Sequence, residues 1–219
     1  MTDFPQAVLF DMDGTLLDSE RRWDVGIDEL ATRLGGVLRP EVRDRMVGTN
    51  EDASVLMLLE DLGLPLESAP ENLVWLRARM TELFAEGVDW KPGARELLSE
   101  VRAAGIPTAL VTSTPRELAH VLLTGTLGYE NFDFTLCGDE VDNRKPAPEP
   151  YLTAAAKLGV DIADTVAIED SPSGTLSALT SGAVTLAVVT EVPLPEDLEV
   201  RRLETLEGID LEFLRALTR

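Results

Sequence analysis

The chain has 219 residues, 44% hydrophobic and 27% charged, the proportions of an ordinary folded protein, which excludes a disordered or fibrous class. Nineteen Lys and Arg stand against 40 Asp and Glu, a formal charge of −21 that repels nucleic acid and acidic membrane surfaces. The single Cys137 closes no intrachain disulfide, no stretch approaches ~18 apolar residues, and the first residues lack a signal peptide's basic flank and apolar run, so a reducing, cytoplasmic setting is expected.

The first apolar run, Ala7 to Phe10, reads as a buried strand and gives way to Asp11-Met12-Asp13-Gly14-Thr15, two carboxylates where strand becomes turn. Residues 20 to 86 then carry helical patterns and no convincing strand. Val55, Leu58, Leu59 and Leu62 form one apolar stripe, and Leu73, Leu76, Met80 and Leu83 form another. This pattern predicts a helical cap domain over 19–87, inserted into a core made of 1–18 and 88–219. The expected connectors are Leu17 to Glu20 and Gly87 to Gly93, the second interrupted by Pro92 and Gly93. Beyond them, apolar runs at Thr108 to Val111, Phe134 to Leu136, Thr165 to Ile168 and Val184 to Val189 alternate with helical patterns on Leu97, Leu98, Val101 and Ala104, on Leu118, Val121 and Leu122, and on Tyr151, Leu152, Ala155 and Leu158. Such alternation implies βαβ units in a doubly wound parallel α/β sheet, and open sheets of this kind bind ligands at the C-terminal ends of their strands. The acidic stretch Glu191 to Glu207, with Arg201 and Arg202 inside it, reads as a solvated loop or edge.

The strand ends hold the residues with chemistry. Thr112 follows the second run, Lys145 stands in Arg144-Lys145-Pro146 before a helical pattern, and Glu169 and Asp170 close another run. The topology would bring Asp11, Asp13, Glu169 and Asp170 to one edge, where like charges ~4 Å apart repel by about 4 kcal/mol at an effective dielectric of ~20. Such a cluster needs a cation, and a few oxygen ligands beside a phosphate suit Mg²⁺. Lys145 alone would be read as a surface lysine. Thr112-Ser113-Thr114-Pro115 serves equally as a hydroxyl cap before a helix, and Ser171-Pro172 is a helix start of the same kind. His120, the only histidine, and Cys137 are read as structural. No Gly-rich nucleotide fingerprint occurs, which argues against nicotinamide or flavin chemistry.

Asp11 to Thr15, Thr112, Lys145 and the Glu169-Asp170 pair, in this order at strand ends, resemble the four motifs of the haloacid dehalogenase-like superfamily, with the β-phosphoglucomutase and phosphoglycolate phosphatase relatives the nearest in pattern. The resemblance implies a Rossmann-like core, Mg²⁺ as cofactor, and Asp11 as the nucleophile that forms an aspartyl-phosphate. Asp13 would be the general acid and base and would offer its carbonyl to the metal. Asp170 would be a carboxylate ligand, and Glu169 would either ligate directly or support the site from behind. Thr112, Ser113 and Lys145 would stabilise and bind the phosphoryl group. From the insertion, Trp23, Arg21, Arg22 and the Gly48-Thr49-Asn50 loop are candidates for the rest of the substrate.

The expected activity is hydrolysis of phosphate monoesters of small metabolites by a monomer or weak dimer. Asp13 separates the chain from halide-removing members. A phosphomutase and a catalytically idle phosphate-binding protein are the alternatives. The mutase caps carry a His and a Lys where an ungapped comparison puts Trp23 and Val47, neither of which moves a proton or pairs with a second phosphate, so hydrolysis is favoured.

Overall fold

Ala7, Val8, Leu9 and Phe10 are all fully buried, which is why the first strand shows no polar alternation: it runs through the middle of a sheet covered on both faces. The computed structural model of the chain describes residues 5–46, 49–188, 193–196 and 198–217. Six strands, β1 (Ala7–Phe10), β2 (Thr108–Val111), β3 (Phe134–Leu136), β4 (Thr165–Glu169), β5 (Val184–Val188) and β6 (Arg201–Leu203), form one sheet in the order β3-β2-β1-β4-β5-β6, and every pairing is parallel. The five expected strands are present; Val189, placed at the end of the fifth, lies outside the described residues. β6 falls within 191–207, the stretch read as a solvated loop or edge, and forms such an edge. It pairs with β5 through Leu186↔Arg201 and Val188↔Leu203, and because it is a mostly exposed edge strand it carries charge instead of an apolar run.

Nine helices are described: α1 (Glu20–Arg33), α2 (Pro40–Met46), α3 (Glu51–Asp61), α4 (Ala69–Ala85), α5 (Ala94–Ala103), α6 (Arg116–Leu122), α7 (Glu149–Leu158), α8 (Pro172–Ser181) and α9 (Leu211–Ala216). One sheet face presents Ala7, Leu9, Ala109, Val111 and Ala167 to Tyr151 and Ala154 of α7 and Ala178 of α8. The opposite face presents Val8, Phe10, Leu110 and Ile168 to α5, α6 and α9 through Leu97, Leu118, Leu122 and Leu214. Small residues on the first face let α7 and α8 approach closely. This matters below, because both helices begin at the functional end of the sheet.

Helices α1 to α4 bury the two stripes expected of them: Val55, Leu58 and Leu59 of α3, and Leu76, Met80 and Leu83 of α4, while Leu62 and Leu73 are partly exposed. Their apolar cluster is continuous with that of the sheet through Leu16, Leu17 and the packing of α4 on α6. The two connectors lie side by side, with the Asp18 N–H donating to the Asp89 carbonyl at 2.8 Å and the Lys91 N–H donating to the Leu16 carbonyl at 2.9 Å.

Gly93 differs from Gly87 as a connector residue. Both have positive φ, +78° and +99°, but a Cβ at Gly93 would lie 2.2 Å from the backbone of Leu206, while one at Gly87 meets nothing within 4 Å. Gly87→Ala is expected to cost about 1–2 kcal/mol of stability from backbone strain alone, and Gly93→Ala about 3 kcal/mol or more once the clash is added. Urea unfolding of the two variants checks this; equal losses would show that the contact with Leu206 relaxes freely.

Candidate active site

The order 3-2-1-4-5-6 reverses direction between β1 and β4, and the crevice at their C-terminal ends is where such sheets take ligands. The register Phe10↔Ile168 sets the residues after these two strands side by side. Asp11 follows β1 with its N–H donating to the Ile168 carbonyl at 3.0 Å, Glu169 ends β4, and Asp170 follows it. All three carboxylates are buried, and one oxygen from each lies within 4.8 Å of the others.

Lys145 stands behind this cluster from the loop before α7. Its ammonium donates to Asp11 Oδ1 at 2.7 Å, Glu169 Oε1 at 2.6 Å and the Val111 carbonyl at 2.8 Å, which uses all three of its N–H groups. Glu169 is saturated as well. Oε1 accepts from Lys145 and from the Tyr151 hydroxyl at 2.7 Å, and Oε2 accepts from the Asp170 N–H at 3.1 Å and the Ser171 hydroxyl at 3.4 Å. Two glycines make room. A Cβ at Gly14 would sit 2.0 Å from Asp170 Oδ2, and one at Gly174, in the first turn of α8, would sit 2.0 Å from Glu169 Oε1.

Burial raises the Asp11 carboxyl to a pKa of about 7, repulsion from Glu169 and Asp13 adds to the rise, and Lys145 opposes it. Burial and then repulsion from Asp11 and Glu169 push Asp170 well above the usual carboxylate range. One ammonium therefore does not balance three carboxylates. The donors are all oxygen, converge within 4.8 Å, and include Asp170 in the cradle that Gly14 leaves open, a set that fits a hard divalent cation. The saturated Glu169 fits least well as a direct ligand.

Asp13 faces the same crevice in a different setting. Its Oδ1 accepts from the Ser19 hydroxyl at 2.6 Å and the Trp23 indole at 3.4 Å; its Oδ2 accepts from the Thr114 hydroxyl at 2.7 Å and the Thr112 hydroxyl at 3.3 Å. Thr112 also accepts from the Thr114 N–H at 3.0 Å, a turn ahead of α6 and not a cap on it: α6 starts at Arg116, whose N–H donates to Asp139 Oδ1 at 2.8 Å, so the helix-cap reading of Thr112 is corrected, and its hydroxyl acts on Asp13.

A cavity opens above Asp11, Asp13 and Asp170, walled by Ser113 and Thr114 on one side and by Trp23, Thr49 and Asn50 on the other. Of the candidates from the insertion, Trp23, Thr49 and Asn50 thus line the cavity, while Gly48 lies outside the described residues. Arg21 and Arg22 do not reach it: Arg21 pairs with Asp18, and Arg22 turns to Glu86 and the Gly87 carbonyl. Arg144, next to Lys145, bridges to Asp52 of α3 at 2.6 Å. His120 is exposed and bonded to the Tyr129 hydroxyl at 2.8 Å, and Cys137 is buried, which pushes its thiol up to about 12. Among the described residues no helix is long and apolar enough to cross a membrane.

Sequence reasoning missed Tyr151, Ser19 and Thr114. Tyr151 sits in the apolar stripe of α7, and only its hydroxyl on buried Glu169 distinguishes it from a packing residue. Ser19 lies six residues after Asp13 at the start of α1, where a hydroxyl reads as a helix cap; its side chain makes no such cap bond and turns to Asp13 instead.

The model of the haloacid dehalogenase-like hydrolases matches residues 5–182. The chain is 34% identical over 181 residues to the phosphorylated carbohydrates phosphatase of Thermotoga maritima, covering 81% of this chain and 82% of that protein. It is also similar to the crystal structure of a mutant CbbY from Rhodobacter sphaeroides in complex with xylulose-(1,5)bisphosphate, with a TM-score of 0.84, 26% identity, and coverage of 95% and 98% of the two chains. A second structure, a putative beta-phosphoglucomutase from Thermotoga maritima, matches with a TM-score of 0.73 and 31% identity over 96% and 97% of the chains.

A carboxyl group whose pKa is raised on folding holds a proton that the unfolded chain has already lost, so stability falls as pH rises through that interval. For Asp11 the interval runs from the ordinary carboxylate value up to about 7. Without divalent cations the melting temperature is expected to drop from pH 5 to pH 8, and millimolar Mg²⁺ at pH 8 should reverse the drop by mass action. Thermal unfolding across this range with and without Mg²⁺ checks both; a profile unaffected by the ion contradicts the reading of the cluster as a cation site.

Proposed function

The chain belongs to the haloacid dehalogenase-like hydrolases, and we propose that it is a Mg²⁺-dependent phosphatase that cleaves phosphate monoesters of small phosphorylated metabolites through an aspartyl-phosphate on Asp11. The observation that carries this reading is the placement of Asp11: a buried carboxylate at the floor of a cavity, held at one oxygen by Lys145 and facing the hydrogen-bonded Asp13. The Thermotoga phosphatase, named for phosphorylated carbohydrates, supports a sugar or polyol phosphate as substrate.

In this mechanism Lys145 engages Asp11 Oδ1 and fixes the carboxylate, and Oδ2 attacks phosphorus in line with the departing ester oxygen. Asp13 gives the leaving alkoxide its proton, then takes a proton from the water that attacks the aspartyl-phosphate and releases inorganic phosphate. Ser19, Trp23, Thr112 and Thr114 hold Asp13 in position between these two transfers, so Thr112 acts through Asp13. Ser113, on the cavity wall, offers its backbone N–H to the phosphoryl oxygens. Asp11, Asp170 and the Asp13 carbonyl would hold Mg²⁺, which supplies positive charge to the phosphoryl oxygens as negative charge builds on them. Glu169 keeps Lys145 and Tyr151 in place behind the ligands. The helices over 19–87 act as a cap that walls the cavity against bulk water.

Hydrolysis is favoured over phosphoryl transfer to a second sugar by Trp23, whose indole reaches Asp13 but carries no titratable proton. Val47, the other position in that comparison, lies outside the described residues.

Asp11→Asn is expected to remove phosphate release from an aryl phosphate by at least about a thousandfold while leaving a folded, if anything stabilised, protein, because it deletes one of several opposing charges. Chelation should abolish the wild-type rate and added Mg²⁺ restore it. Turnover by Asp11→Asn near the wild-type rate, or full activity in excess chelator, contradicts the mechanism. With a β-hexose 1-phosphate and a bisphosphate primer, free phosphate should outrun hexose 6-phosphate; the reverse order would establish a mutase.

A further inference from the structure

Glu51, the first residue of α3, lines the same cavity as Asp11 and Asp170 and is 6% exposed. Its Oε1 accepts from Arg77 Nε at 2.6 Å and pairs with the rest of that guanidinium. Its Oε2 is buried and has no hydrogen-bond partner. A buried carboxylate oxygen without a donor costs free energy of the order of 1–3 kcal/mol, so a fold that keeps one beside its cavity is holding an acceptor in readiness.

The surrounding wall narrows what could complete it. Trp23, Met46, Thr49, Asn50, Glu51 and Ser54, with Glu20 at the start of α1, form the side contributed by residues 20–54, and no Lys or Arg lies among the described cavity residues. The nearby guanidiniums are already engaged, Arg77 by Glu51 and Arg144 by Asp52. A second phosphate on the substrate would meet a carboxylate where it needs a cation, whereas a hydroxyl would meet an acceptor that lacks a donor.

We propose that Glu51 is a specificity-determining residue: its Oε2 accepts a hydrogen bond from a hydroxyl of an uncharged polyol or sugar leaving group, and it disfavours substrates with a second phosphate. The assignment rests on the phosphatase reading of the site and deepens it, by naming the substrate class as monophosphate esters of polyhydroxylated carbon chains. Burial raises the Glu51 carboxyl above its ordinary value with Arg77 opposing, as expected for an acceptor short of one donor.

The test compares kcat/KM of wild type and Glu51→Gln on three probes: a hexitol monophosphate, an aryl phosphate that carries no hydroxyl, and a hexose 1,6-bisphosphate. Wild type should prefer the hexitol ester to both others. In Glu51→Gln the hexitol-to-aryl ratio should fall at least about tenfold, because an amide that must still face Arg77 turns a donor toward the substrate. The hexitol-to-bisphosphate ratio should fall with it. If Glu51→Gln does not fold, the double variant Glu51→Met with Arg77→Met, which removes the carboxylate together with its guanidinium and leaves no acceptor at this place, is measured instead and should show the same shifts. Ratios within about twofold of wild type, or a wild type that prefers the bisphosphate, overturn the role of Glu51 and leave the phosphatase reading standing. A wild type that releases phosphate from none of the three overturns both.

Discussion

Three carboxylates and one ammonium packed beneath a sheet edge are the constraint around which this protein is arranged. The three N–H groups of Lys145 tie the end of β1, the end of β2 and the end of β4 to the loop before α7. That single nitrogen gives strands distant in sequence a shared electrostatic partner. Tyr151, in the first turn of α7, completes the shell of Glu169, so the helix that follows Lys145 is anchored to the same charge. The glycines at 14 and 174 belong to the same arrangement, since any side chain there would occupy the volume of a carboxylate.

The parallel topology supplies the geometry that this charge cluster needs. Neighbouring parallel strands end at the same level, so residues that follow β1 and β4 meet without a designed loop, and the reversal of strand order leaves an opening above them. The helices over 20–85 stand across that opening. Their contribution to the cavity is polar and aromatic, and the site therefore has two chemically distinct halves: an anionic floor from the sheet and an uncharged wall, Glu51 and Glu20 excepted, from the inserted helices.

What was legible in the sequence follows from which positions physics constrains locally. Central strands buried on both faces must be continuous apolar runs, and the polar residue that ends each run contrasts with it, which makes Asp11, Thr112 and Glu169 recognisable from the order of residues alone. The edge strand β6 could be read only as a solvated loop or edge, because it has no such run to tell the two apart. Trp23 lines the cavity while Arg21 and Arg22 do not, because successive helical residues point about 100° apart and the sequence does not say which face of α1 meets the sheet. Tyr151 and Glu51 were hidden in a different way: each looks ordinary in its helix, one as part of an apolar stripe and the other as an acidic first-turn residue, and only tertiary neighbours reveal the hydroxyl donor and the unpartnered oxygen.

The apolar cluster that runs unbroken from Phe10 through Leu16 and Leu17 into α1, α3 and α4, with α4 laid on α6, has a consequence for cooperativity. Helices with a private core could melt ahead of the sheet. Here the two regions share one interior, so disordering α4 strips apolar cover from α6 and from the strands beneath it. Heat capacity traces of such a molecule are expected to show one transition, and a cavity carved at Leu76 or Met80 should lower the melting point of the sheet as much as that of the helices around it.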